Sequence, residues 1–133
     1  MTHHVNGRFE VKVTPQTLAE PAAATLGRLS IAKRYFGDLD AEAAGEMLTA
    51  SGTVPGSAVY VAVEHVSGTL SGRRGTFALH HAGIMDRGAA QLTISVVPDS
   101  GTGELTGLTG TMSITIAEKQ HFYDFEYRLE ASK

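Results

Sequence analysis

Apolar and polar side chains alternate along most of this chain, and a period of two marks a β-strand with one buried face. Over residues 5–13, Val5, Phe9, Val11 and Val13 fall on one side, and Asn6, Arg8, Glu10 and Lys12 on the other. Residues 26–36 read as a second strand with Leu29, Ile31 and Tyr35 inward. Further strands are predicted over 58–66, 75–85, 91–97, 111–117 and 121–129. The segment 41–50 is ambiguous: AEAAGEML favours a helix by composition, but Gly45 and the short length oppose one. A loop followed by a strand is predicted there, which brings the total to eight strands. Residues 15–25, rich in alanine and proline, read as a connection, and Gly37-Asp38-Leu39-Asp40 as a turn.

Glycine-rich turns recur at a spacing of about ten residues, the mark of an antiparallel meander that closes to remove its edges. The predicted fold is all-β: an eight-stranded antiparallel β-barrel forming one domain over 1–133. No repeat, linker or low-complexity segment divides it.

Residues paired across an antiparallel hairpin share a face, so their numbers must sum to an odd total when one strand buries odd positions and the other even ones. In 121–129 the odd set is His121, Tyr123, Phe125, Tyr127 and Leu129, and in 111–117 the apolar set is Met112, Ile114 and Ile116. A turn centred on Lys119-Gln120 sets 118 opposite 121 and satisfies the rule. A turn at Ser71-Gly72 pairs 70 with 73, which places Glu64 opposite Leu79 and Ala62 opposite His81. Tyr60, Ala62 and Glu64 then share the interior with Phe77, Leu79 and His81, and Tyr60 and Glu64 are diagonal neighbours of His81. A shift of one residue would turn Val59, Val61, Val63 and His65 inward instead.

The composition is that of an ordinary globular chain, 42% apolar and 19% charged. A net charge of −3 argues against nucleic acid or an anionic membrane as partner. With no cysteine, disulfides and thiol chemistry are excluded, which fits a cytoplasmic protein. The N-terminus lacks the apolar core of a signal peptide, and no run reaches transmembrane length.

Several stretches carry a family resemblance: Tyr60-Val61-Ala62-Val63-Glu64, the run GTFALHHAG from Gly75, SGTGELTGLTG from Ser100, and His121-Phe122-Tyr123 continuing to Glu126-Tyr127. They resemble a bacterial family of unknown function whose members look like allene oxide cyclase barrels. A similar glycine-rich turn occurs in dirigent proteins. The resemblance implies an eight-stranded barrel, allene oxide cyclase-like or lipocalin-like, with a cavity and often in dimers or larger assemblies. It implies little about chemistry.

Glu64, His81 and Tyr60 form the best polar set. A carboxylate can orient an imidazole that moves a proton, while a tyrosine donates to a substrate oxygen. The same three equally suit a satisfied interior network that fixes the register. Phe77, His121, Tyr123 and Tyr127 share the inner wall, where aromatics suit either an apolar or cyclic ligand or a filled lumen. Six histidines invite a metal, but His80-His81 and His3-His4 are adjacent on strands, so each pair points to opposite faces. Neither metal nor cofactor is expected, and nucleotide-binding and nucleophile motifs are absent. Lys33-Arg34 and Arg73-Arg74 read as solvated basic pairs. Val59, Val61, Val63, Thr76 and Ala78 would form an apolar outer patch, best explained by self-association into a two-fold dimer.

The leading expectation is a barrel that binds a small hydrophobic molecule among Tyr60, Glu64, His81 and Tyr123. Two alternatives stand beside it: an isomerase or cyclase using the Glu64–His81 pair, and a structural oligomer with a filled core.

Overall fold

The computed structural model describes residues 2–18 and 25–129. Eight strands, β1 (Thr2–Gln16), β2 (Leu26–Tyr35), β3 (Leu39–Ser51), β4 (Ala58–Leu70), β5 (Arg73–Asp86), β6 (Ala89–Val96), β7 (Leu108–Ala117) and β8 (Gln120–Leu129), form a closed antiparallel barrel in chain order, β1 pairing with β8. The alternation of the sequence is the alternation of the wall. Inward positions such as Phe9, Tyr35, Phe77, Leu79, Tyr123 and Phe125 are buried. Among the described residues no helix is long and apolar enough to cross a membrane.

The register of β4 and β5 is the expected one, with Ala62 opposite His81, Glu64 opposite Leu79, and Ser71-Gly72 as the turn. Three expectations are corrected. Residues 41–50 are strand throughout, within β3, because tertiary pairing on both edges overrides the helical composition. Tyr35 ends β2, and the tight connection lies at Phe36–Asp38, with Leu39 and Asp40 already in β3. The last hairpin turns at Glu118-Lys119, since Ala117 pairs with Gln120. Moving that turn by one residue changes the paired totals by two, so the inward set of β8 is unchanged. β1 also runs through Pro15, opposite Leu29. Of the expected connection over 15–25, residues 19–24 lie outside the described residues.

The glycine-rich segment 100–110 closes one end of the barrel. β6 pairs with β5 only from Leu79 onward, and with β7 through only Ile94↔Met112 and Ser95↔Thr111. The first half of β5 would therefore be a bare edge. The loop substitutes for the missing strand: Thr102 N–H donates to Thr76 O at 2.8 Å, Thr76 N–H to Thr102 Oγ1 at 3.1 Å, and Ala78 N–H to Ser100 Oγ at 3.0 Å. Gly75 allows that approach, since a Cβ there would overlap the Thr102 carbonyl. A turn of 3-10 helix, Gly103–Leu105, then drops Leu105 into the buried cluster that also holds Leu108, Leu39 and Leu70. Thr76 and Ala78 are consequently half-buried under the loop and do not belong to the outer patch. Leu48 and Ile84, both half exposed, extend the valine strip instead, through the register Leu48↔Val61 and Val59↔Ile84.

Candidate functional site

Glu64 is the centre of a buried polar cluster drawn from β2, β4 and β5. Its Oε1 accepts from Tyr35 Oη at 2.7 Å, from His81 Nε2 at 3.0 Å and from Lys33 Nζ at 3.3 Å. Lys33 and His81 are 9% and 4% exposed, and Glu64 only 2%. Lys33 and Tyr35 lie on β2 and Glu64 on β4, so they meet across β3. That is possible because the inward positions of β3 are small. Ala43 sits beside Lys33, and Gly45 lies between Ile31 and Glu64. A Cβ at Gly45 would overlap the Val63 carbonyl and crowd the Glu64 backbone. Alanine, which made this segment look helical, and the glycine that opposed a helix together form the gap through which Lys33 reaches its carboxylate.

Removing two charges from water costs several kcal/mol per ion in proteins, so such a cluster persists only when well bonded. Burial pushes the Glu64 carboxyl upward, but the His81 hydrogen bond and the Lys33 charge, with help from Tyr35, outweigh it and hold Glu64 below the usual glutamate value. Glu64 is therefore a carboxylate, an acceptor only, and His81 must donate through Nε2–H. Burial, then the Glu64 charge, drives the Tyr35 phenol well above its ordinary value, so Tyr35 is a neutral donor.

Above the cluster the lumen opens into a cavity of about 330 Å³. Its walls are Phe9, Val11, Val13, Ile31, Met47, Ala62, Leu92, Ile114 and Ile116, and its polar groups are Lys33, Tyr60, His81 and His121. Tyr60 lies flat over Gly83, where a Cβ would overlap its ring, with its centroid 6.5 Å from that of His81. Burial, with the nearby Glu64 charge, raises its phenol pKa. His121 packs on Phe9 at 5.2 Å between ring centroids. The volume falls within the range of small-molecule sites, and the mixture of apolar walls with a few convergent polar groups is their usual chemistry. A wider depression of about 640 Å³ lies on the outer wall, but its lining of Glu10, Lys12, Arg34, Glu42 and His65 is a set of solvated charges around Ala32 and Ala44.

Of the residues expected from sequence, Tyr60, His81 and His121 line the cavity, and Glu64 lies directly beneath His81 and Lys33. Phe77, Tyr123 and Tyr127 do not. Phe77 stacks on Phe125 at 5.9 Å in the core. Tyr123 Oη donates to Phe36 O at 2.8 Å and accepts from Leu39 N–H at 3.2 Å, tying down the turn between β2 and β3. Burial raises its phenol pKa, keeping that donor neutral. Tyr127 Oη is 3.0 Å from Ser71 Oγ at the closed end. Lys33 and Tyr35 are the members that sequence reasoning missed. Lys33 is not a solvated partner of Arg34. It occupies the odd position between Ile31 and Tyr35, and the alternation that put those two inward puts Lys33 inward as well.

A family profile described as "Protein of unknown function (DUF3224)" matches residues 5–127. The chain is also similar to a crystal structure of a DUF3224-family protein of unknown function from Shewanella oneidensis MR-1. Identity is 47%, over 98% of this chain and 100% of that one, with a TM-score of 0.93. No curated protein matches.

Proposed function

The chain belongs to the DUF3224 family, described as one of unknown function, and from its geometry we propose that it binds a small, largely apolar molecule in the open end of the barrel. The observation that carries this reading is the 330 Å³ cavity, walled by aliphatic side chains and floored by a buried charged cluster. A lumen that served only as core would be filled at this end by its own side chains, since protein interiors pack without voids of this size. The in-order eight-stranded meander and its glycine-rich closing loop support an allene oxide cyclase-like classification. The lack of cysteine supports a cytoplasmic setting.

The Glu64–His81 hydrogen bond favours a second reading, in which the same cavity hosts an isomerase or cyclase. An imidazole fixed by a carboxylate is a competent proton acceptor. Binding comes first in both readings.

The test is a titration with the neutral apolar fluorophore N-phenyl-1-naphthylamine, followed by fluorescence and by native mass spectrometry. One equivalent is expected to bind, and an Ile114→Trp variant that fills the cavity should weaken it at least tenfold. Binding undiminished in that variant, or none to the wild type, would end the proposal. The same spectra report whether the chain is a monomer or the two-fold dimer favoured by the exposed strip of Val59, Val61 and Val63.

A further inference from the structure

The cavity floor exposes two unused hydrogen-bonding groups of opposite kind. His81 donates Nε2–H to Glu64, so in the neutral ring its lone pair is on Nδ1. Nδ1 has no partner among the described residues. The fully enclosed side-chain polar atom without a partner there is Glu64 Oε2, so His81 Nδ1 keeps contact with the cavity that His81 lines. Lys33 Nζ, which meets His81 Nε2 at Glu64 Oε1, has three protons and two long contacts, 3.3 Å to Glu64 and 3.4 Å to Tyr35. Lys33 also lines the cavity, and its Nζ lies 5.0 Å from the centroid of the Phe9 ring.

An acceptor next to a cationic donor is complementary to a group that both gives and takes a hydrogen bond. We propose that the ligand is an apolar or cyclic molecule carrying an acidic hydroxyl, a phenol or an enol, seated with its O–H on His81 Nδ1 and its oxygen on Lys33 Nζ. This rests on the cavity reading above and specifies its substrate class. An ether lacks the proton that His81 needs. A carboxylate presents only acceptors, so it would set one lone pair against Nδ1 and bring a second negative charge next to Glu64. A hydroxyl meets both groups, and charge-assisted donation from Lys33 strengthens the bond as the O–H polarises toward His81. Sites built to hydrogen-bond a hydroxyl reject analogues that lack it far more strongly than apolar pockets discriminate by size.

Three probes of one shape test the proposal: 4-chlorophenol, 4-chloroanisole and 4-chlorobenzoate, measured by calorimetry in a mildly basic buffer that keeps the free phenol un-ionised and an imidazole neutral. The phenol is expected to bind at least tenfold more tightly than either of the others. His81→Gln, which keeps a donor toward Glu64 but not the aromatic acceptor, should erase the preference. Equal binding of phenol and ether overturns the proposal, and so does tightest binding of the benzoate. If none of the three binds and the fluorophore also fails, the cavity reading falls with it. Fluorophore binding without a hydroxyl preference removes the hydroxyl alone. The wild-type comparison decides even if His81→Gln does not fold.

Discussion

At one end of the barrel, Leu39, Leu70, Leu105 and Leu108 are each 1% exposed, and Phe125 is fully buried. At the other, the lumen-facing Val13, Leu92 and Ile116 remain 43%, 42% and 66% exposed. Apart from Leu105, which lies on the 3-10 turn, both sets arise from the same inward alternation of the barrel strands. What differs is the chain that follows each strand end. The loop 97–107 inserts Leu105 and seals the first end, whereas among the described residues the hairpins at Arg87-Gly88 and Glu118-Lys119 are two-residue turns with nothing to insert. The closed half supplies the packed apolar core. The open half leaves apolar side chains facing space, with Lys33, Glu64 and His81 at the boundary.

The contrast predicts a steep gradient of mutational cost along the barrel axis. Phe125→Ala deletes a ring stacked on Phe77 and tilted against Tyr127 and should destabilise by about 3–5 kcal/mol in denaturant unfolding. Ile116→Ala, on the inward face at the open rim, should change stability by no more than about 0.5 kcal/mol. Comparable losses at the two positions would mean that the mouth is packed as tightly as the closed end, and the comparison would collapse.

At the boundary, Lys33→Met leaves Glu64 buried with its charge opposed only by hydrogen bonds, and should cost about 3 kcal/mol. Pairing it with Glu64→Leu should cost less than the sum of the two single changes, because both charges leave together. The pH profile gives the sign independently. The folded-state pKa of Glu64 is depressed below the usual 4.5, so its stabilisation is complete above that value and drains away as pH falls through the folded pKa. Glu64→Gln should therefore be less stable than wild type at neutral pH, with the gap narrowing below about pH 4.5. A gap that stays constant down to acid unfolding would show that the carboxylate charge is not what the cluster uses.

How much of this could be read from sequence follows the same division. Barrel closure, strand order and the β4–β5 register were legible because alternation and two-residue turns leave few solutions, and the Glu64–His81 contact came with that register. Lys33 was not legible as a partner. Its inward position follows from Tyr35, but its burial depends on Ala43 and Gly45 of β3, the strand between Lys33 and Glu64, and adjacency to Arg34 suggested a solvated pair. Tyr123 and Tyr127 were placed on the correct face, yet alternation says nothing about height along the axis. Height decides whether an inward tyrosine meets a ligand or a loop carbonyl. The closing role of Leu105 likewise required knowing that β6 stops pairing β5 at Leu79.

A small stabilising effect is expected from the hairpin turns at the two ends. The closed-end hairpin uses Ser71-Gly72 at φ values of 48° and 83°, with glycine in the second position, and Arg87-Gly88 repeats the pattern. Glu118-Lys119 adopts the same left-handed pair at 52° and 67° with no glycine. A residue with a Cβ in this region costs roughly 1–2 kcal/mol, while glycine loses roughly 0.5–1 kcal/mol more backbone entropy on folding. Lys119→Gly should thus stabilise by about 0.5–1 kcal/mol, seen as a higher denaturant midpoint with unchanged slope. His121, two residues on, lines the mouth, so fluorophore affinity serves as the control. Affinity should hold while stability rises, because the turn only connects strands whose register the wall already fixes. A gain in stability accompanied by weaker binding would mean that the strained turn positions the mouth, giving the open end a built-in constraint of its own.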